Sequence, residues 1–184
     1  MTTEIVVSHD HVPLFQVLRA GHGQPLEASH SRRSPGRWNT VAFPALYACC
    51  SESAARAVTQ DRLNVAAVNL EELQPEARPQ LFELDWSGEV VDVVSAEGVQ
   101  AVGLSAAYPA DTDRSQTQSL AAQWHDARRE GVLCRSASLW RLGFMDWSGD
   151  HARWGEVTVF VGIASSPVSL RGQRHDLDWF RSTP

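Results

Sequence analysis

Residues 81 to 94 read LFELDW, then Ser-Gly, then EVVDVV, two apolar runs of strand length separated by a turn dipeptide. No other stretch narrows the fold as much. Runs of the same length recur at PLFQVLRA (13–20), PALYACC (44–50), VLCRSAS (132–138) and EVTVFVGI (156–163), the last rich in β-branched residues. Three segments carry helix signals instead. SESAARAVTQDRLN opens on a Ser cap at residue 51 and continues as an Ala-rich run. SAEGVQAVGLS reads as a short helix ending at Gly103. DTDRSQTQSLAAQWHDARRE places Leu120, Trp124 and Ala127 on one helical face and stops at Gly131. AAVNL (66–70) fits either a short strand or the end of the first helix. Strands outnumber helices, so the reading is an α+β domain with a mixed or antiparallel central sheet.

The chain has 184 residues, enough for one domain with a sizeable core that needs neither metal nor disulfide. It shows no repeat and no long linker. All sixteen basic residues are Arg, and the absence of Lys excludes Schiff-base or lysine-nucleophile chemistry. A net charge of −6 counts against direct nucleic-acid binding. No signal peptide and no apolar run of membrane-spanning length is visible, so a cytoplasmic, membrane-free protein is expected. Cys49 and Cys50 are adjacent and Cys134 is remote, a pattern that gives neither a disulfide framework nor metal spacing. His9 and His11 lack a third ligand, and no metal site is expected.

The polar loop 21–36 runs into RRSPGRWNT (32–40). Pro35 and Gly36 make a turn, but a turn does not require Arg37, Trp38 and Asn39 to follow it. A guanidinium here can grip a phosphate-bearing ligand bidentately or tie down the loop. Trp38 fits a core anchor better than a stacking platform, and Asn39 can close the turn. Tyr47 lies in an apolar strand, where a core role and a ribose contact are both open. Strand alternation sends Arg135 and Ser136 to opposite faces and puts Cys134 and Ser138 with Ser136. WRLGFMDWSGDHARWGE (140–156) is unusually aromatic and reads as a packed flap or as a lid or partner surface.

Taken in order, these parts resemble the RES domain family. The first strand, the loop ending in GRWN and the strand carrying Tyr47 with a helix behind it come first. VVDVVSAEGVQAVGLS, a TQSLA helix, GVLCRSAS and a closing strand ending in Phe160 follow. The resemblance covers about residues 13–163 of a single domain spanning 1–184, with 164–184 as a C-terminal extension. It implies a compact α+β fold related in shape to ADP-ribosyltransferases. Family members include toxins of bacterial toxin–antitoxin pairs that cleave NAD or transfer its ADP-ribose.

On that resemblance Arg37, Tyr47 and Ser136 are the catalytic positions, and Gln16, Trp38, Asn39, Val58 and Asp61 line the substrate. Two positions depart from the family. Gln16 stands where the first strand usually has Arg, and Val58 stands where a Glu usually follows the Tyr by eleven residues. A shifted register would put Arg19 in the first role. Asp61, three residues beyond Val58 and nearly on its helical face, is the candidate replacement carboxylate. The implied ligand is nucleotide-like, with NAD as substrate and no cofactor, and the implied partners are an antitoxin protein and a second copy of the chain. Three functions stay open: NAD cleavage, other small-molecule chemistry on the same scaffold, and binding without catalysis.

Overall fold

The computed structural model describes residues 4–10, 12–19, 24–144, 146–147, 154–174 and 178–181. Extended chain forms β1 (Val6–His9), β2 (Leu14–Arg19), β3 (Ala45–Cys49), β4 (Pro79–Asp85), β5 (Gly88–Val93), β6 (Gly131–Arg135), β7 (Gly155–Phe160) and β8 (Ser169–Arg174). Helices are α1 (Ser29–Arg33), α2 (Glu52–Ala66), α3 (Ala96–Ala101), α4 (Arg114–Asp126), α5 (Ala137–Arg141) and α6 (Asp178–Arg181). Local chemistry explains most of the helix starts. Ser51 accepts a bond from the Ala54 amide at 3.1 Å, Ser95 caps α3 and Asp113 caps α4. AAVNL resolves as helix end: Ala67 is left-handed at φ 51°, and the Val68 amide reaches back to the Leu63 carbonyl.

Some elements were not visible in the sequence. β1 and β8 are the two edges of the sheet, short and mixed in polarity. α1 lies inside the polar loop. VLCRSAS is strand only as far as Arg135, because the next residue, Ser136, caps α5 with its hydroxyl.

All eight strands join one sheet in the order β1-β5-β6-β7-β3-β2-β4-β8. Every pairing is antiparallel except β5 with β6, which are joined by the crossover through α3 and α4. β4 and β5 follow each other in the chain but are not partners: β4 pairs with β2 and β8, and β5 with β1 and β6. Only Trp86 and Ser87 connect them, a path of about 10 Å when extended. Yet β5 is second in the order and β4 seventh, five spacings or about 24 Å in a flat sheet. The sheet must therefore curl until these two strands approach.

The inside of the curl is a core of sheet against sheet, with Leu14, Leu46, Phe82, Leu84, Trp86 and Val90 at its centre. The outer face carries the helices. Val99 and Trp124, from α3 and α4, pack with Val91, Val93 and Phe160 on one part of it. Val58, Leu139 and Trp179, from α2, α5 and α6, pack with Cys49 and Leu81 on another.

Candidate functional site

The GRWN loop is tied to β3 through side chains. Asn39 is fully buried, and its Oδ1 accepts from the Gly36 amide at 2.7 Å and from the Tyr47 hydroxyl at 2.8 Å. Its Nδ2 donates to the carbonyls of Ser31, Thr40 and Phe43 at 2.8, 3.1 and 3.3 Å. The Tyr47 hydroxyl in turn accepts from the Trp38 amide at 3.0 Å. Gly36 is required by this closeness: a Cβ there would stand 2.5 Å from Tyr47 Cζ. Trp38 is 1% exposed, stacked on Trp124 at 5.6 Å and set edge-on to Tyr108, so it anchors the loop in the core.

With Trp38 and Asn39 fixed, Arg37 has little freedom. Its guanidinium lies over the Tyr108 ring, 6.0 Å from the centroid. Burial works against its charge, but Tyr108, Cys134 and Glu156 around it raise its pKa on balance. Burial likewise pushes the Tyr47 hydroxyl well above the ordinary phenol value, so Tyr47 acts as a neutral hydrogen-bonding group. Among the described residues Arg37 forms no ion pair within 4.0 Å. A partly buried, fixed guanidinium without a bonded counter-ion can receive an anionic ligand.

The buried thiols of β3 and β6 are poor nucleophiles. Burial pushes Cys134 up to about 12 and Cys49 well above its usual value, which leaves both protonated near neutral pH. A cleft of about 670 Å³ lies elsewhere, beyond the end of α2 between Gln60, Asn64, Leu70 and Phe180. It shares no lining residue with the Arg37 site.

The RES domain family's sequence profile matches residues 13–153. The chain belongs to the RES domain family. The RES match ends just before β7, so the closing strand that the sequence pattern had included lies outside it. No curated protein sequence matches the chain. In three dimensions this RES domain superposes on a chain of the M. tuberculosis MbcT–MbcA toxin–antitoxin complex with a TM-score of 0.71. The two are 22% identical, over 89% of this chain and 83% of that one, and the likeness confirms the α+β fold.

The structure separates the positions that the RES resemblance grouped. Gln16 shares its face of β2 with Leu14 and Leu18, which belong to the core inside the curl. Phe15 pairs with Cys49 on the outer face, so Gln16 is on the opposite side of the sheet from Tyr47. Arg19 pairs with Pro79 through the backbone, and its side chain lies outside the described residues. Val58 is 6% exposed and packs among Cys49, Ala54, Leu81, Leu139 and Trp179.

Asp61 is buried and already paired. Arg141 donates to both its oxygens, at 3.0 and 3.1 Å from Nε and at 2.5 Å from Nη2. That hydrogen bonding, stronger than the opposing effect of burial, holds its carboxyl below the usual range. The stability it contributes is complete above the unfolded value of about 3.9 and is lost as pH falls through the lower folded value. Because Arg141 is half exposed, we expect Asp61→Asn to cost only about 1–2 kcal/mol at pH 7. In denaturation curves at stepped pH, the gap from wild type should close below pH 4.

Ser136 is fully buried and accepts from the Leu139 amide at 3.3 Å. Since β6 ends one residue earlier, strand alternation does not carry on to Ser136 and Ser138. Arg135 is buried too, donating to the Val94 and Tyr108 carbonyls at 2.8 and 2.9 Å. In the aromatic segment, Phe144 packs against Trp147 and Trp154, and all three pack on the cluster around Val58. Residues 145 and 148–153 lie outside the described set. His9 stacks on Trp86, whereas His11 also lies outside it.

Sequence reasoning missed Tyr108, Arg141 and Glu156. Alternation along EVTVFVGI could have placed Glu156 on the face of Thr158 and Phe160. Which strands flank it could not be read, because neither neighbour is near it in the chain.

Proposed function

We propose that this RES domain binds an NAD-type dinucleotide with its phosphates at Arg37 and breaks the bond between nicotinamide and ribose. The fixed Arg37 guanidinium, stacked over Tyr108 and free of any ion pair within 4.0 Å among the described residues, carries the proposal. The GRWN loop that holds it is locked before any ligand arrives, so little ordering cost falls on binding. The family supports a toxin-like role, and the MbcT–MbcA complex makes an antitoxin protein the partner to look for. Assembly as a homodimer belongs to the same proposal. Among the described residues no helix is long and apolar enough to cross a membrane.

Val58 favours a second reading, in which the site binds the nucleotide without cleaving it, since an apolar side chain fills the place of the family's helix carboxylate. One experiment separates the two. Purified protein is titrated with NAD by calorimetry and then assayed for nicotinamide release. Binding with release supports cleavage, and binding without release supports the second reading. Arg37→Ala should weaken NAD binding on the order of 100-fold, the loss expected for a charged bidentate contact worth about 2–3 kcal/mol. If wild-type protein does not bind NAD, both readings fall.

A further inference from the structure

Glu156 is the only charged residue of β7, and it stands at a particular seam. Its cross-strand neighbours are Cys49 in β3 and Cys134 in β6. Both are buried on the outer face, but Cys49 belongs to the cluster under α2 and α5, and Cys134 to the cluster of Trp38, Tyr108 and Trp124. Residues directly opposite in a sheet share a face, so the Glu156 side chain emerges where these two clusters meet. Two residues along the strand, Thr158 pairs with Tyr47. Glu156 is half-buried, and among the described residues it forms no ion pair within 4.0 Å. Its charge acts on both Arg37 and Arg141.

A carboxylate placed among buried thiols is costly unless something offsets the lost hydration. Among the described residues no cation bonds to it: Asp61 takes Arg141, and Arg37 is held over Tyr108. Val58 belongs to the same apolar cluster as Cys49, the cross-strand neighbour of Glu156.

We propose that Glu156 is the carboxylate that faces the ribose in this site. The inference rests on the NAD reading above. In the step, the C1′–N1 bond breaks and its electron pair goes to the nicotinamide nitrogen, which loses its positive charge. Positive charge builds on C1′, and the Glu156 carboxylate stabilises it across a short gap in a partly dry site. A water oxygen then bonds to C1′, and its proton leaves to solvent. The products are nicotinamide, ADP-ribose and one proton, with no change in oxidation state.

The test compares wild type, Glu156→Gln and Glu156→Asp for NAD affinity by calorimetry and for nicotinamide release. Glu156→Gln should bind NAD within a few-fold of wild type and release nicotinamide on the order of 100- to 1000-fold more slowly. Glu156→Asp should recover part of that loss. A Gln variant that releases nicotinamide at the wild-type rate would overturn the role of Glu156 and leave the NAD reading intact. Tighter NAD binding with unchanged release would make Glu156 a mere counter-charge to Arg37, which also overturns it. Wild-type protein that binds NAD without releasing nicotinamide removes the role and keeps the binding site. Wild-type protein that does not bind NAD ends both. Circular dichroism of each variant guards against misfolding.

Discussion

Replacing Asn39 with leucine is expected to remove about 5 kcal/mol of stability, a large part of the 5–15 kcal/mol that holds an ordinary domain together. The volumes of the two side chains are similar, so packing is not the cause. Leucine would leave the Gly36 amide without its acceptor and the carbonyls of Ser31 and Phe43 without their donor, and would strip the Tyr47 hydroxyl of its acceptor. Each buried polar group left alone costs about 1–3 kcal/mol. Urea denaturation followed by tryptophan fluorescence reads the effect directly, since Trp38 lies in the same loop. Tyr47→Phe, which removes only the hydroxyl from this network, sets the scale at about 1 kcal/mol. Should Asn39→Leu cost no more than that, the loop is held by Trp38 packing and not by its hydrogen bonds.

Val58→Glu is expected to damage the protein by a similar amount, about 5 kcal/mol, and to give no cleavage activity of its own. From the family pattern alone the same substitution looks like a restoration. Packing reverses that expectation. Val58 is enclosed by Ala54, Ala55, Leu81, Leu139 and Trp179, none of which can solvate a carboxylate. An unpaired buried charge costs about 3–5 kcal/mol, and the added side-chain volume about 1–3 more. Arg141, which reaches α2 from α5, is already held by Asp61. Thermal melting and nicotinamide release, measured together, check both parts. A stable variant with enhanced release would show that the helix position still opens into the site.

The contrast shows what could be read from the chain and what could not. The Ser51 cap and Ala-rich run gave α2 to within a residue or two, and the spacing of Leu120 and Trp124 gave α4, because such signals act within one or two turns. GRWN was recognisable as a unit, and its Asn39 proved to be hydrogen-bonded to Tyr47 of β3, eight residues on. Pairing between distant strands was not legible. Gln16 went to the inner core and Phe15 to the outer face on a difference of one residue, which no local pattern fixes in a strand apolar on both sides. Asp61 fitted a replacement carboxylate on the Val58 face, because its partner Arg141 is 80 positions away. Glu156 was hidden for the same reason: its two neighbours come from residues 49 and 134.

The strand order has a consequence for how the protein comes into being. β7 lies between β3 and β6, so the strands that carry Tyr47 and Cys134 are joined only through residues 155–160. During synthesis the GRWN loop, β3 and β6 all leave the ribosome before the strand that bridges them. A nascent chain can bury Trp38 yet still lack the strand that sets Glu156 between Cys49 and Cys134. The sheet that carries the Arg37 surface is therefore incomplete until translation has passed residue 160, and a chain truncated before β7 lacks the strand that unites its two halves.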